Sequence, residues 1–383
     1  MLKPPRFLAG AFCMIASLLH AQTVQSRAET LQQVAALIQR GDLTSAENAL
    51  AGLLKTSPDD PLALNLLGLI RMRQHDPGAA ADLFRKAIQT GHRVAGPHIN
   101  LALIDGSDHP FEAISELQQA FAIAPGDEQA TSLLRQIVKD SVLAAIKSGD
   151  KDKALALLAK ARALLPHDAE LLYDSGFIAF ECGSYQEADR YLSEALERKP
   201  DYLDAQYALA QTYLAENLAK PAEDEMRKYL SAKPDDAAAQ YGLGYILMAE
   251  QKVDEATAAF ERSVSLQPEQ TESVYQLGEI ALQQGDVERA KGDFKTVLAR
   301  DPHHGGALTD VGVLAYRAAE YAEAKADLER AIESAPQYQK AHYYYALTLS
   351  KLGRKEQAEH EFALARSLQK EHGGEHHLLA AQP

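Results

Sequence analysis

The sequence predicts an all-α protein built as a solenoid of about ten helical hairpins, and two periodicities carry that prediction. Proline stands at Pro166, Pro200, Pro234, Pro268, Pro302 and Pro336, each 34 residues after the last. Alanine stands at Ala46, Ala80, Ala113, Ala154, Ala188, Ala222, Ala256, Ala290, Ala324 and Ala358, in steps of 34 except for one of 33 and one of 41. Two residue types held in one phase along most of a chain mark a repeat architecture.

The second helix of each hairpin, helix B, is read from a bulky apolar residue four after each alanine: Leu50, Phe84, Leu117, Leu158, Leu192, Met226, Phe260, Phe294, Leu328 and Phe362. Residues four apart share one helical face. The first helix, helix A, carries a small residue twelve before the alanine, at Gly68, Gly176, Ala210, Gly244, Gly278, Gly312 and Ala346. A helical glycine costs about 1 kcal/mol relative to alanine, which is tolerable where a missing side chain lets another helix approach closely. Gly41, Gly149, Gly183, Asn217, Gly285 and Gly353 fall between the two helices, where a left-handed residue ends helix A. Asp42, Asp150, Ser184 and Asp286 follow as N-caps, and Ser184-Tyr185-Gln186-Glu187 reads as a capping box. The periodic proline then closes helix B. The resulting units are 27–60, 61–94, 95–127, 128–168, 169–202, 203–236, 237–270, 271–304, 305–338 and 339–372.

A 34-residue helical pair with Leu-Gly or Leu-Ala, then Ala-x3-Phe/Leu, then Pro resembles the tetratricopeptide repeat (TPR) family. The resemblance implies a right-handed superhelical solenoid whose helices A line a concave surface that binds segments of partner proteins. Val34 and Val142 depart from it at the small position, and Tyr229, Ser263 and Val297 replace a late alanine of helix B. These departures are expected to loosen single interfaces without abolishing the stack. Polar terminal helices, with Glu29, Thr30, Gln32 and Gln33 at one end and Glu356, Gln357, Glu359, His360 and Glu361 at the other, fit capping roles. The 41-residue step adds about two helical turns, expected as one overlong helix from Gly126 to Ile146. It divides an N-terminal arm of three units, 22–127, from a main stack of seven, 128–372, with a polar tail at 373–383.

Lys3 and Arg6 precede an apolar run from Phe7 to Leu19 and then His20-Ala21-Gln22, the pattern of a signal peptide over 1–21. The run is too short for a membrane-spanning helix, which takes about 20 residues. The expectation is a periplasmic or extracellular protein with no stable membrane span after cleavage. Cleavage removes two bases and no acid, taking the formal charge from −15 to −17. That balance argues against nucleic acid and anionic membranes, both of which need basic patches. Only Cys182 remains after cleavage, so no internal disulfide forms, and a small buried thiol is expected at that helix end.

The fifth position of helix A holds Tyr173, Tyr207, Tyr241, Tyr275 and Tyr343, broken by Thr309; Phe177, Tyr245 and Tyr316 lie further along the same helices. Tyrosine offers a flat apolar face, few rotatable bonds and a hydroxyl, a combination enriched at interfaces. These eight residues are the candidate peptide-binding wall, although tyrosine at this position also packs against the neighbouring helix in the family, and both readings stand. Glu170, Asp204, Glu272 and Glu279, with Lys340 and Lys351, are the charged groups of the same face. An acidic, aromatic wall suits a basic or neutral peptide, or a glycan stacked on tyrosine. No phosphate loop, Cys-x-x-Cys, nucleophile elbow or His-Glu-x-x-His helix occurs, Leu364 standing where the last would need histidine. His372, His376 and His377 in the tail lack fixed geometry for a metal. The reading is a non-catalytic scaffold for a protein or peptide, with no cofactor; a carbohydrate-handling envelope protein is the alternative.

Overall fold

The computed structural model describes residues 25–372 apart from His92 and Ser107, so the predicted signal segment and the polar tail lie outside the described residues. Among the described residues every regular element is an α-helix. Ten consecutive helix pairs run α1 (25–40) and α2 (Leu43–Thr56), α3 (Pro61–Arg73) and α4 (Pro77–Thr90), α5 (Ala95–Asp105) and α6 (Pro110–Ile123), α7 (Glu128–Lys147) and α8 (Lys151–Leu164), and α9 (Ala169–Glu181) and α10 (Tyr185–Arg198). They continue with α11 (Leu203–Ala215) and α12 (Ala219–Ala232), α13 (Ala237–Ala249) and α14 (Val253–Leu266), α15 (Thr271–Gln283) and α16 (Val287–Arg300), α17 (Gly305–Arg317) and α18 (Tyr321–Ser334), and α19 (Gln339–Lys351) and α20 (Lys355–His372). Two compact units divide them, the first ending at Ile178 and the second beginning at Ala179, within α9.

The small residue of helix A does what a missing side chain predicts. A Cβ on Gly244 would stand 2.6 Å from the Phe260 ring, one on Gly278 2.7 Å from Phe294, and one on Gly312 2.6 Å from Leu328. Phe84, Phe260 and Phe294 are fully buried. Val34 and Val142, expected to loosen their hairpins, still lie in the core. The helix B residues sixteen on from them are Leu50 and Leu158 rather than phenylalanine, and all four side chains are buried. In these two hairpins valine thus goes with leucine rather than with the phenylalanine that stands against Gly68, Gly244 and Gly278, although Gly312 also stands against a leucine, Leu328. Tyr229 and Ser263 are likewise buried, and each replaces lost packing with hydrogen bonds: Tyr229 Oη donates to Asp236 at 2.7 Å, and Ser263 Oγ to the Ala237 carbonyl at 2.8 Å.

The turn after helix A is left-handed at all six predicted stops, with φ from 59° at Asn217 to 85° at Gly285. In the first hairpin the Asp42 N–H reaches the Leu37 carbonyl and the Gly41 N–H the Ile38 carbonyl, satisfying acceptors the helix leaves open. His75, Gln251 and Ala319 adopt the same conformation at φ near 60°, which composition does not announce. Asp42, Asp150 and Asp286 cap as expected. Ser184 does not: its hydroxyl makes no capping bond, so the proposed capping box is not formed. Asp60, Asp76, Asp127, Asp168 and Asp236 cap helices as well.

The 41-residue step is taken up by α7, 20 residues long where the other helices A from α3 onward have 11 to 13. Cys182 is half-buried rather than buried. At the first terminus Glu29, Gln32 and Gln33 face solvent, and at the last Glu356, Gln357, Glu359 and His360 do, while Glu361 accepts from the buried His342 ring.

Candidate functional site

In the second unit the fifth-position tyrosines divide by what their hydroxyls do. Tyr275 is buried: its hydroxyl donates to Asp310 Oδ2 at 3.0 Å, its ring lies against Phe294 and His304, and Gly306 is small enough to admit it. This residue, expected on the ligand-facing wall, is an internal packing group. Tyr213, Tyr229 and Tyr345 are tied in the same way, to Asp189, Asp236 and Glu329. Tyr207, Tyr241, Tyr245, Tyr316 and Tyr343 make no hydrogen bond through their hydroxyls among the described residues. Their rings are propped by neighbours: Tyr207 on Tyr229 at 5.2 Å, Tyr241 on Phe260 at 5.8 Å and Tyr245 at 6.3 Å, Tyr316 on Tyr344 at 5.9 Å, and Tyr343 on Phe362 at 5.9 Å. Partial burial pushes the hydroxyl pKa of Tyr207, Tyr241 and Tyr245 up, so all three remain neutral donors at ordinary pH. Tyr343 is exposed.

Beside them lies a charged cluster that patterning alone did not disclose. Asp310 is fully buried, sixth in α17, and accepts from Tyr275 of α15 and from Lys340 Nζ of α19 at 2.6 Å, joining three successive helices A. Lys340 also approaches Glu279 at 3.5 Å. Burial lowers the Lys340 pKa, but the adjacent Asp310 carboxylate outweighs it and the net shift is upward. Burial raises Glu279, reinforced by Asp310 and opposed by Lys340. Of the charged residues predicted for a ligand face, Glu279 and Lys340 are therefore spent on each other and on Asp310. Glu272 meets the His304 ring at 3.1 Å, while Asp204 and Lys351 are exposed.

The first unit holds Tyr173 and Phe177 on α9, their rings 6.3 Å apart, with Phe177 exposed. It also has a pocket of about 270 Å³ between α7 and α9, lined by Ser132, Arg135, Gln136 and Lys139 on one side and Glu170, Leu171 and Asp174 on the other. Spacings of three and four put each set on one helical face. Arg135 is drawn to the capping Asp168 at 2.9 Å and to Glu170 at 3.8 Å. The Asp174 carboxylate receives no hydrogen bond and no ion pair within 4 Å among the described residues. Burial raises its pKa to about 6, opposed by Lys139 and reinforced by Glu170 and Asp168. No cluster of three or more His, Cys, Asp and Glu side chains suited to a metal occurs among the described residues, and no helix there is long and apolar enough to cross a membrane.

The hairpin repeat and its small-to-bulky contacts define a helical repeat scaffold. Residues 223–342 match the TPR domain of cytochrome c-type biogenesis protein H, residues 179–244 match one tetratricopeptide repeat family, and residues 31–94 and 140–202 match another. The chain belongs to the tetratricopeptide repeat family. No curated protein matches it. Among solved structures it is similar to MamA (residues 41 to the end) from Desulfovibrio magneticus RS-1, at 23% identity over 45% of this chain and 97% of that one, with a TM-score of 0.42. YrrB, a TPR protein with an unusual peptide-binding site, shares 21% identity over 60% of this chain and 97% of its own, with a TM-score of 0.38. A TPR protein from Parabacteroides merdae shares 17% over 67% and 98%, with a TM-score of 0.46.

Proposed function

We propose that this chain is a non-catalytic scaffold that holds an extended or helical segment of a partner protein against the helices A of its second unit. The observation that carries the reading is the division among tyrosines. Tyr207, Tyr241, Tyr245, Tyr316 and Tyr343 present rings fixed by aromatic neighbours and hydroxyls with no partner among the described residues, while Tyr229, Tyr275 and Tyr345 have theirs bonded. A ring already held in place loses little freedom on binding, and its hydroxyl supplies a directional donor.

The chain acts in the periplasm or outside the cell, a proposal that rests on Lys3, Arg6 and the Phe7–Leu19 run. Intact-mass measurement of the protein from an envelope fraction tests it, a mass beginning at Gln22 being the expected result. For the binding wall, partners cross-linked in an envelope extract are compared between the native chain and a Tyr207→Ala, Tyr241→Ala, Tyr343→Ala variant. Loss of one specific partner is expected, and an unchanged partner set removes these tyrosines from the reading. The carbohydrate alternative uses the same tyrosine rings, and it alone predicts a change in tyrosine fluorescence on titration with a neutral or acidic glycan.

A further inference from the structure

We infer that the pocket between α7 and α9 is a receptor for a primary ammonium group on a short alkyl chain, the chemistry of a lysine side chain or of a chain's N-terminus. The inference rests on the protein-binding reading and adds a second site to it, in the first unit. Three observations point the same way. The pocket volume, about 270 Å³, admits an alkyl ammonium beside Leu171. Glu170 and Asp174 stand one helical turn apart on its α9 side, and an ionised carboxylate is an acceptor only. Asp174 has neither a hydrogen bond nor an ion pair among the described residues, although burial opposes its charge.

The matching place in the second unit shows what such a carboxylate takes when its partners are built in. Asp310, at the same sixth position of its helix, receives a donor from the residue 35 before it and the ammonium of Lys340. Asp174 has Lys139 at the 35-residue spacing, outside ion-pair distance, and the residue 30 further on, the place Lys340 holds for Asp310, is Asp204 rather than a lysine. Arg135 is already turned to Asp168. A donor from outside completes the set.

The groups facing Asp174 are Arg135 and Lys139 from α7, with Glu170 and Asp168 on its own side. Binding therefore strengthens as pH rises through about 6 and the Asp174 carboxyl ionises. The test uses the full chain, isothermal titration and the probes Nα-acetyl-lysine methylamide, glycinamide and Nα-acetyl-norleucine methylamide. The lysine or glycine probe is expected to bind and the norleucine probe not to. A stronger lysine probe assigns a side chain, and a stronger glycinamide a chain terminus. Asp174→Asn should weaken binding about tenfold or more, as loss of a charge-assisted bond does, and Lys139→Met should tighten it. Equal binding of norleucine, no binding of any probe to the native chain or to Lys139→Met, or an unchanged response in a folded Asp174→Asn chain overturns the inference. Circular dichroism checks the fold of that variant, with Asp174→Ser as a second. The Tyr207, Tyr241, Tyr343 variant should keep the probe response, so failure here and failure of the tyrosine wall are read separately.

Discussion

Asp174 and Asp310 occupy the same position of the repeat, the sixth residue of helix A, and meet opposite fates. Asp310, in the second unit, is fully buried and satisfied by Tyr275 and Lys340; Asp174, in the first, lines an open pocket and is bonded to nothing among the described residues. The residue 35 earlier decides much of the difference. Tyr275 is rigid and its hydroxyl reaches Asp310, as Asn100 reaches Asn65 across the same spacing at 2.9 Å. Lys139 ends in a flexible ammonium that solvent holds well, and it does not close on Asp174. One repeat position therefore serves as a structural joint in one unit and as an open acceptor in the other.

The largest effect that would break this comparison is on stability. Asp310→Ala strands the Lys340 ammonium beside Glu279 and leaves the Tyr275 hydroxyl without its acceptor, a loss of about 3 kcal/mol by the usual cost of breaking a buried pair. Asp174→Ala should be neutral or stabilising. Equal shifts in the denaturation midpoint for the two variants would show that the two carboxylates do the same work.

A second contrast concerns volume. Gly244→Leu forces a side chain into Phe260 and should cost about 1–3 kcal/mol, more than Gly353→Ala, whose added Cβ meets nothing within 4 Å and strains only a residue at φ 80°. In the first unit Val142→Gly opens a void that Leu158→Phe should partly refill. If the double variant melts no higher than the single one, the complementarity between those positions is false.

The hairpins, their limits and the contacts of Gly244, Gly278 and Gly312 were legible in the sequence, because helix–helix closeness demands a small residue and demands it every 34 residues. The overlong α7 was legible from one irregular interval. The division of the tyrosines was not. Tyr241 and Tyr275 occupy the same position, and what buries the hydroxyl of Tyr275 is Asp310, 35 residues away, together with Gly306, which leaves room for the ring. Nor was the open state of Asp174, since periodicity places a residue on a face but says nothing of whether a partner's side chain reaches it. His75, Gln251 and Ala319 carry no such signal, because the left-handed conformation is favoured by Gly and Asn, and other residues take it only where the surrounding hairpin imposes it.

The Asp174 carboxyl gives the comparison a pH signature. Its folded pKa, about 6, lies above the ordinary carboxylate value of 3.8, so between those limits the folded state binds more protons than the unfolded state. Stability is then greatest at low pH within this window and is lost as pH rises through about 6. Asp174→Asn should raise the first unit's stability near neutral pH by about 1–2 kcal/mol, less than the full shift implies because solvent reaches the pocket, and should flatten the pH dependence. A variant less stable than the native chain near neutral pH would mean that the carboxylate has an internal partner after all.

The smallest expected effect separates caps that look alike in sequence. Asp150 and Ser184 both follow a left-handed glycine and both precede a helix B. Asp150 accepts from the Lys153 N–H at 3.0 Å, whereas the Ser184 hydroxyl makes no such bond. Asp150→Ala, in the first unit, should therefore cost about 1 kcal/mol, and Ser184→Ala, in the second, close to nothing. The turn before α10 is held instead by the Gly183 and Ser184 N–H groups, bonded to the Phe180 and Ala179 carbonyls, and those bonds survive the substitution. Paired thermal melts decide it: a Ser184→Ala loss as large as that of Asp150→Ala would restore the hydroxyl to a capping role, and with it the capping box that the residue order suggests.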